Sequence, residues 1–185
     1  MKKLFLCLTA IVMFSACSSD DSGSTTNPTN PETSIESTIS IDGVAFVPGS
    51  PNNLMGNPLV TNLTEGINNG QSNIRIFQMV QAEAMNDIGA IKSLNINLTY
   101  PANQANINGT YGFEYNEDDP MADPYILGSY MQGMNMQPYT EGTITVTDLG
   151  NNKFKLVFNN VVASQGSSIT GSVEGTFDVE TDDFE

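Results

Sequence analysis

The chain contains no histidine and no tryptophan. Without histidine it cannot carry a Ser-His-Asp or Cys-His catalytic site, because both need an imidazole as the general base. We therefore expect that the protein is not an enzyme. The alternative from another functional class is a hydrolase that uses paired carboxylates, since such a site requires no imidazole.

Basic residues are also few. The chain has six lysines and arginines against 21 aspartates and glutamates, and its formal net charge is -15. Proteins that bind nucleic acid neutralise phosphates with clustered lysine and arginine. Docking on anionic lipid through a basic patch requires the same residues. The composition therefore excludes both nucleic acid and a directly bound anionic membrane surface as expected partners.

Cysteine occurs at two positions, Cys7 and Cys17. Cys7 lies within the apolar run 4–14, which follows Lys2 and Lys3. A short basic start followed by an apolar run is typical of a secretory signal. The run is too short to span a bilayer, which takes about 20 apolar residues. The N-terminus is thus predicted to direct export.

Ser15-Ala16-Cys17 closes this leader and resembles the lipobox of bacterial lipoproteins, whose cysteine becomes the acylated N-terminus. We expect residues 1–16 to be a signal peptide and Cys17 to carry diacylglycerol and palmitate, which attach the mature chain to a membrane. The alternative is plain secretion with cleavage near Ala16. Because Cys7 leaves with the leader, the mature chain can form no intramolecular disulfide.

Residues 17–34 follow as the lipidated cysteine and a tether rich in Ser, Thr, Asn, Pro and Asp, a composition typical of flexible linkers. Ser19-Asp20-Asp21 resembles the acidic export signal of lipoproteins of the Bacteroidota. This resemblance implies an outer-membrane or cell-surface location. In the alternative interpretation, the two aspartates are merely solvated residues of the linker.

Residues 35–185 show short alternating apolar runs separated by turn residues, and form one predicted β domain. Asp42-Gly43 predicts a tight hairpin, because both positions of its turn need a positive φ. We expect an all-β fold, an antiparallel meander forming a sandwich or a partly closed barrel of about eight to ten strands with little helix. The clearest strands place alternate apolar residues on one face: Leu94, Ile96 and Leu98, then Phe154, Leu156 and Phe158.

Two segments lack a clear alternating pattern. Residues 81–90 permit one or two helical turns or an irregular loop. Residues 116–138 are rich in Pro, Met, Asn and acidic residues, and are predicted to be irregular.

The turn glycines and alternating strands resemble a known group. The Asp42-Gly43 hairpin, the strand start Gly109-Thr110-Tyr111, and the segments 142–147 and 171–177 resemble small lipoproteins of the Bacteroidota that belong to a domain-of-unknown-function family. The likeness covers most of residues 35–180 and implies an anchored, all-β protein. No catalytic residues are defined for that family, so the resemblance assigns none here.

Methionines and tyrosines concentrate in the segment predicted to be irregular, and they form a candidate ligand patch of Tyr125, Tyr130, Met131, Met134, Met136 and Tyr139. Exposed aromatic and thioether side chains are typical of contact surfaces. The Met-x-x-Met-x-Met spacing also suits Cu(I), which prefers soft sulfur ligands. The structural alternative is that methionine fills irregular gaps in a core.

Acidic residues form a second candidate site, a possible calcium site made of Glu117, Asp118, Asp119 and Asp123. Carboxylates are ligands for Ca²⁺, but this spacing is not that of an EF-hand and prolines interrupt it. A solvated acidic loop is the structural alternative, and we expect no cofactor. Arg75, the single arginine, is expected either to pair with a carboxylate of the fold or to bind an anionic ligand.

These observations together predict a lipid-anchored outer-membrane or cell-surface protein with a non-enzymatic binding or adhesion domain. Its expected partners are the membrane, through the anchor, and an unknown ligand or envelope protein. A carbohydrate- or lipid-binding carrier domain is the alternative within the class of binding proteins.

Overall fold

Twelve β-strands join into one sheet in the computed structural model, which describes residues 34–50, 56–84, 86–113 and 125–179. Helical structure in these ranges amounts to the four-residue helix α1 (Ile67–Gly70) and a 3₁₀ turn, Ile88–Ala90. The strands are, in chain order, β1 (Glu36–Ser37), β2 (Ser40–Ile41), β3 (Val44–Ala45), β4 (Leu59–Gly66), β5 (Ser72–Ala82), β6 (Ile91–Pro101), β7 (Gly109–Gly112), β8 (Tyr125–Gln132), β9 (Asn135–Gly150), β10 (Lys153–Ala163), β11 (Ser168–Thr176) and β12 (Asp178–Val179).

The long strands follow one another as an antiparallel meander. Each of β4, β5, β6, β8, β9, β10 and β11 is hydrogen-bonded to the next in this order. Strand β12 follows β11 after a single residue, Phe177, and pairs with β4 in parallel, so the end of the meander reaches its beginning. The sheet therefore curls into a partly closed barrel, which confirms the predicted all-β class.

The strand count differs from the expected eight to ten. Four of the twelve strands, β1, β2, β3 and β12, are only two residues long. Two of the pairings between these strands are parallel: β12 with β4, and a single pair between Gly112 of β7 and Tyr125 of β8. The pairings of β1 and β12 are this short and depend on a neighbouring strand, so an alternating pattern does not indicate them, whereas Asp42-Gly43 does indicate the pairing of β2 with β3.

The interior is filled by side chains from alternate positions of the long strands, as the sequence predicts. The predicted inward residues of β6 and β10 are all buried: Leu94, Ile96, Leu98, Phe154, Leu156 and Phe158. Three phenylalanines form an edge-to-face cluster, in which the ring centroids of Phe77 and Phe154 lie 5.1 Å apart and Phe77 and Phe177 lie 5.3 Å apart. Aromatic pairs favour this geometry.

Turn chemistry also follows the sequence. Asp42 and Gly43 both have positive φ, 53° and 81°, and they join β2 to β3 as predicted. The backbone amide of Asp42 donates to the carbonyl oxygen of Ser168 at 2.9 Å, and the amide of Ser168 donates to Oδ1 of Asp42 at 2.8 Å. The hairpin is thereby attached to the start of β11.

The prediction of an irregular segment over residues 116–138 is wrong where the structure describes it. Residues 125–138 belong to a β-hairpin whose strands β8 and β9 are joined at Gly133 and Met134. Methionine, glutamine and asparagine have weak strand preference of their own. Every residue of β8 is nevertheless paired with a residue of β6, and β6 supplies the hydrogen bonds. Residues 114–124 lie outside the described residues.

The described part of the segment 81–90 is mainly irregular. Strand β5 continues through Ala82, and the helical part is limited to the 3₁₀ turn at Ile88–Ala90. Oδ1 of Asp87 accepts a hydrogen bond from the amide of Gly89 at 2.9 Å and caps this turn. One short helical turn is thus present, and the sequence analysis allowed one or two.

Candidate binding surface

The β8–β9 hairpin separates the candidate patch into two faces. In its register Met131 is opposite Met136, and Tyr130 is opposite Gln137. Tyr130 and Tyr139 point to the interior and are 3% and 7% exposed, whereas Met134 and Met136 are 90% and 59% exposed. Successive residues of a strand point to opposite faces, which explains the separation.

The outer face carries an apolar surface, which we call the hairpin surface and define as Ile88, Leu127, Met131, Met134 and Met136. Met131 is half-buried and the other four are exposed. Leu127 shares the face of Met131, because the two residues are four positions apart in the same strand. If the segment had been predicted to be a strand, this even spacing would have placed Leu127 on the same face as Met131.

Ile88 joins the hairpin surface through the 3₁₀ turn. The amide of Gly133 donates to the carbonyl of Ile91 at 2.8 Å, and the Cβ position of Gly133 lies 3.3 Å from the carbonyl oxygen of Ile88. The 3₁₀ turn therefore packs against the hairpin turn. The sequence gives no signal for this contact, because it joins segments about 40 residues apart in a long chain.

The hairpin is held firmly to the rest of the sheet. The side-chain amides of Asn135 and Gln165 bond reciprocally, at 3.1 and 3.0 Å. The amide of Ser164 also donates to the carbonyl of Pro138 at 2.8 Å. With the β6–β8 ladder, these bonds hold the hairpin surface on a fixed scaffold rather than on a free loop.

The inward residues of the hairpin are part of the core. The ring of Tyr139 packs edge to face on Phe113, with centroids 5.4 Å apart. Burial raises the pKa of the Tyr139 phenol far above its usual value, and burial also raises the pKa of Tyr130. Tyr130 donates to Oε1 of Gln132 at 3.1 Å. Tyr130 and Tyr139 therefore serve packing, whereas Met134 and Met136 are accessible.

Tyr125 begins β8, where it pairs with Thr99 of β6 and Gly112 of β7. Its backbone therefore lies at the end of the hairpin farthest from Met134. Met131 and Met136 are direct cross-strand partners, and Met134 lies in the turn beside them. The structure thus brings the three methionines together, and the copper alternative stays a prediction.

The candidate calcium residues Glu117, Asp118, Asp119 and Asp123 lie outside the described residues. Elsewhere, in the ranges that the structure describes, no three His, Cys, Asp or Glu side chains come together as a metal site would require.

Arg75 lies on the inward face of β5, two residues before the buried Phe77. Its Cζ atom is 5.2 Å from the centroid of Phe154, a distance typical of a cation–π contact. Ion pairs between described residues join Lys92 to Glu83 at 3.8 Å and Lys153 to Glu174 at 2.7 Å. Arg75 belongs to neither, so the expected carboxylate partner is not found among the described residues.

The anchor position, Cys17, lies outside the described residues. Within those residues, none of the helical segments has the length and apolar character needed to cross a bilayer.

The comparisons with known proteins assign no family. No family model, no curated protein and no solved structure matches this chain.

Proposed function

We propose that the chain is a lipid-anchored protein of the outer membrane or cell surface, and that its β domain is a non-enzymatic binding module. The leader followed by Ser15-Ala16-Cys17 supports the anchor. The proposal of binding rests on the hairpin surface, because this surface groups exposed apolar side chains on a fixed scaffold. Methionine side chains are flexible and polarisable, and they suit contact with a partner of variable shape.

Strand register separates the first described strand from the hairpin surface. Glu36 of β1 pairs with Glu174 near the end of β11. The start of β11 lies at the other end of the sheet, where Ser168 pairs with Val162 and Ala163 pairs with Tyr139 of the hairpin. The described part of the domain therefore begins at the end of the sheet opposite Met134.

The filled interior favours binding on the surface over an enclosed ligand. Large side chains from several strands meet there and are almost fully buried, among them Phe46, Phe77, Tyr111 and Phe154. A carrier with an enclosed site needs a cavity of about 300 Å³ or more for a drug-sized ligand. We therefore propose that ligands bind the outer face.

The anchor is tested by labelling cells that express the full chain with radioactive palmitate. We expect incorporation into the wild type and none into Cys17→Ala. Protease added to intact cells then separates the cell surface from the inner face of the outer membrane. Absence of label in the wild type, or equal label in the variant, would contradict the anchor.

Binding is tested with a glycan array, using the full chain in nonionic detergent. The double variant Met134→Gln and Met136→Gln removes apolar area from the hairpin surface. Its control is Val44→Thr and Val47→Thr, which changes two other exposed apolar residues. We expect signals of the wild type to be lost in the methionine variant and retained in the control. Equal signals in both would contradict the role of the hairpin surface.

A further inference from the structure

The outward residues of strands β4, β5, β6 and β8 lie in rows across the sheet. In one row Asn62 is opposite Ile76, Ile76 is opposite Asn97, and Asn97 is opposite Leu127. Ile76 and Leu127 are 36% and 50% exposed, while the neighbouring Phe77 is buried, so this row faces outward. The rows beside it are Thr64, Ile74 and Thr99 on one side, and on the other Val60, Gln78, Asn95, Ser129 and Pro138, followed by Val80, Ser93, Met131 and Met136. We call the residues of these four rows the neutral face.

The neutral face contains no charged residue, although the chain has 21 acidic residues and a formal net charge of -15. The outer side of β10 and β11 is different, because Lys155 lies opposite Glu174 there and Lys153 forms an ion pair with Glu174. Two copies of so acidic a chain repel each other through their net charge. A face without charges is where this repulsion opposes contact least.

The polar side chains of the neutral face are amides and hydroxyls, such as those of Gln78, Asn95, Asn97 and Ser129. Each of these groups both donates and accepts hydrogen bonds. Such a group can pair with its own copy, whereas a carboxylate or an ammonium group repels its own copy. The amides also oppose contact with hydrocarbon, because burying an amide there without a hydrogen-bond partner is costly. The face is therefore better suited to a protein surface of its own composition than to lipid.

A two-fold axis along β6 matches each row to itself. Such an axis brings Asn97 to its own copy and places β5 of one copy opposite β8 of the second, because β5 and β8 are the two neighbours of β6. Ile76 then lies opposite Leu127 of the second copy, and Val80 lies opposite Met131 of the second copy. Apolar residues thus meet apolar residues, and amides meet amides.

The neutral face is also large enough for a specific contact. The five strands of these rows, about 4.8 Å apart, and the four rows, about 6.8 Å apart, span roughly 650 Å² on each copy. Two copies would bury about 1,300 Å², and specific interfaces begin at about 1,000 Å² in total. Because the sheet curls, the borders of the face lift away from a second copy. The long and flexible side chains of Met131 and Met136 can fill part of that gap.

We propose that the protein forms a homodimer through the neutral face, with the two-fold axis along β6. Both copies then point in the same direction along the axis, as two chains anchored in one membrane require. The neutral face shares Leu127, Met131 and Met136 with the hairpin surface, so this inference names a partner for that surface and rests on the proposed function.

Cross-linking tests the position of the axis. Asn97→Cys adds a thiol where the two copies meet, and membranes from cells that express the full chain are treated with a bismaleimide about 10 Å long, the distance between packed sheets. We expect a covalent dimer from Asn97→Cys. Asn159→Cys, at an exposed outward position of β10, should give no more dimer than the wild type. Equal yields from the two cysteine variants would overturn the proposal.

Sedimentation equilibrium of the full chain in nonionic detergent, between about 1 and 100 μM, tests the contact itself. We expect the mass of two chains at the upper concentration, which corresponds to a Kd below about 100 μM. Leu127→Asp should weaken the dimer about tenfold or more, because it buries a carboxylate opposite Ile76 of the second copy. Leu149→Asp is the matched control, since Leu149 is 46% exposed and lies outside the face, and its Kd should stay within about twofold of the wild type. A monomeric wild type at about 100 μM, or equal effects of the two aspartate variants, would overturn the proposal.

A charge pair across the axis tests the register. Ile76→Lys combined with Leu127→Asp should bind more tightly than Leu127→Asp alone, because opposite charges then face each other between the copies. No recovery in the double variant would contradict an axis along β6. Circular dichroism establishes that each variant is folded, and the cross-linking result holds whether or not Leu127→Asp folds.

The outcomes separate this inference from the proposed function. Mass and cross-linking report only on the pairing of copies, whereas palmitate labelling and the glycan array report on the anchor and on ligand binding. A dimer without palmitate label would support the pairing and contradict only the anchor. A monomeric wild type that keeps its array signal would overturn the dimer and assign the face to a glycan.

Discussion

The ring of Tyr139 lies over Gly128 so closely that a Cβ atom at Gly128 would be 2.7 Å from Cε2 of the ring. Tyr139 of β9 and Gly128 of β8 share one interior space, and the missing side chain of glycine lets the ring enter the core. The two strands can therefore pair while the ring also packs on Phe113. The packing depends on both residues together, the large ring of Tyr139 and the missing side chain of Gly128.

Substituting Gly128→Ala should destabilise the fold. The new methyl group would meet the Tyr139 ring and also the backbone oxygen of Asn95, which cannot move without disturbing β6. Overpacking of this kind costs about 1–3 kcal/mol of unfolding free energy, and the rigid backbone contact favours the upper part of that range. Urea denaturation measures the loss. In the control Gly89→Ala the methyl group meets only the Oδ1 atom of Asp87, at 3.2 Å, and the loss should be smaller. Equal losses in the two variants would contradict this account.

Replacing two buried tyrosines by phenylalanine should have opposite effects. The hydroxyl of Tyr139 is buried without a hydrogen-bond partner among the described residues, whereas that of Tyr111 donates to the carbonyl of Ile107 at 2.7 Å. Tyr139→Phe should leave the unfolding free energy unchanged or raise it by about 1 kcal/mol, because an unsatisfied group is removed. Tyr111→Phe should lower it by about 1 kcal/mol or more, because the carbonyl loses its donor. Thermal and urea unfolding of both variants measure the difference, and a larger loss in Tyr139→Phe would disprove the assignment.

Stability should decrease at alkaline pH. Burial raises the pKa of four phenols, those of Tyr100, Tyr111, Tyr130 and Tyr139. In the unfolded chain these phenols ionise near pH 10, earlier than in the folded chain. The folded state is then favoured fully below about pH 10 and progressively less above it, because the unfolded state releases protons first. Urea midpoints between about pH 8 and pH 11 should fall, and should fall less in Tyr139→Phe. Urea midpoints that do not change over this pH range would show that burial does not raise the pKa of these phenols.

The ion pair between Lys153 and Glu174 should contribute in a defined pH range. Its Nζ and Oε1 atoms lie 2.7 Å apart across β10 and β11. The hydrogen bond to Glu174 raises the pKa of Lys153, and the hydrogen bond from Lys153 lowers the pKa of Glu174. The stabilisation is therefore present above the usual pKa of a glutamate and is lost as pH falls through the lowered value.

A double-mutant cycle with Lys153→Gln and Glu174→Gln measures this coupling. We expect a small coupling at pH 7 that disappears in acid and in about 1 M salt, because both groups are reached by solvent. The same cycle on Lys92 and Glu83, whose atoms are 3.8 Å apart, should give a weaker coupling. Coupling that persists when Glu174 is protonated would have to come from contacts other than the charges.

The sequence alone determined the local features of the domain. Asp42-Gly43 predicted a turn because few residues other than glycine, asparagine and aspartate tolerate positive φ. Leu94, Ile96 and Leu98 predicted a strand with one buried face because a strand repeats every two residues. Both signals lie within a few neighbouring positions, and so they can be detected without knowledge of the fold.

Only the tertiary structure decided where distant segments meet. The segment around Met134 has no strong strand pattern, and it is a hairpin because β6 and β9 supply its partners. The inward direction of Arg75 depends on the register of β5 between β4 and β6, and its aromatic neighbour comes from β10. These relationships join positions far apart in the chain, where composition and spacing carry no information about which strands become neighbours.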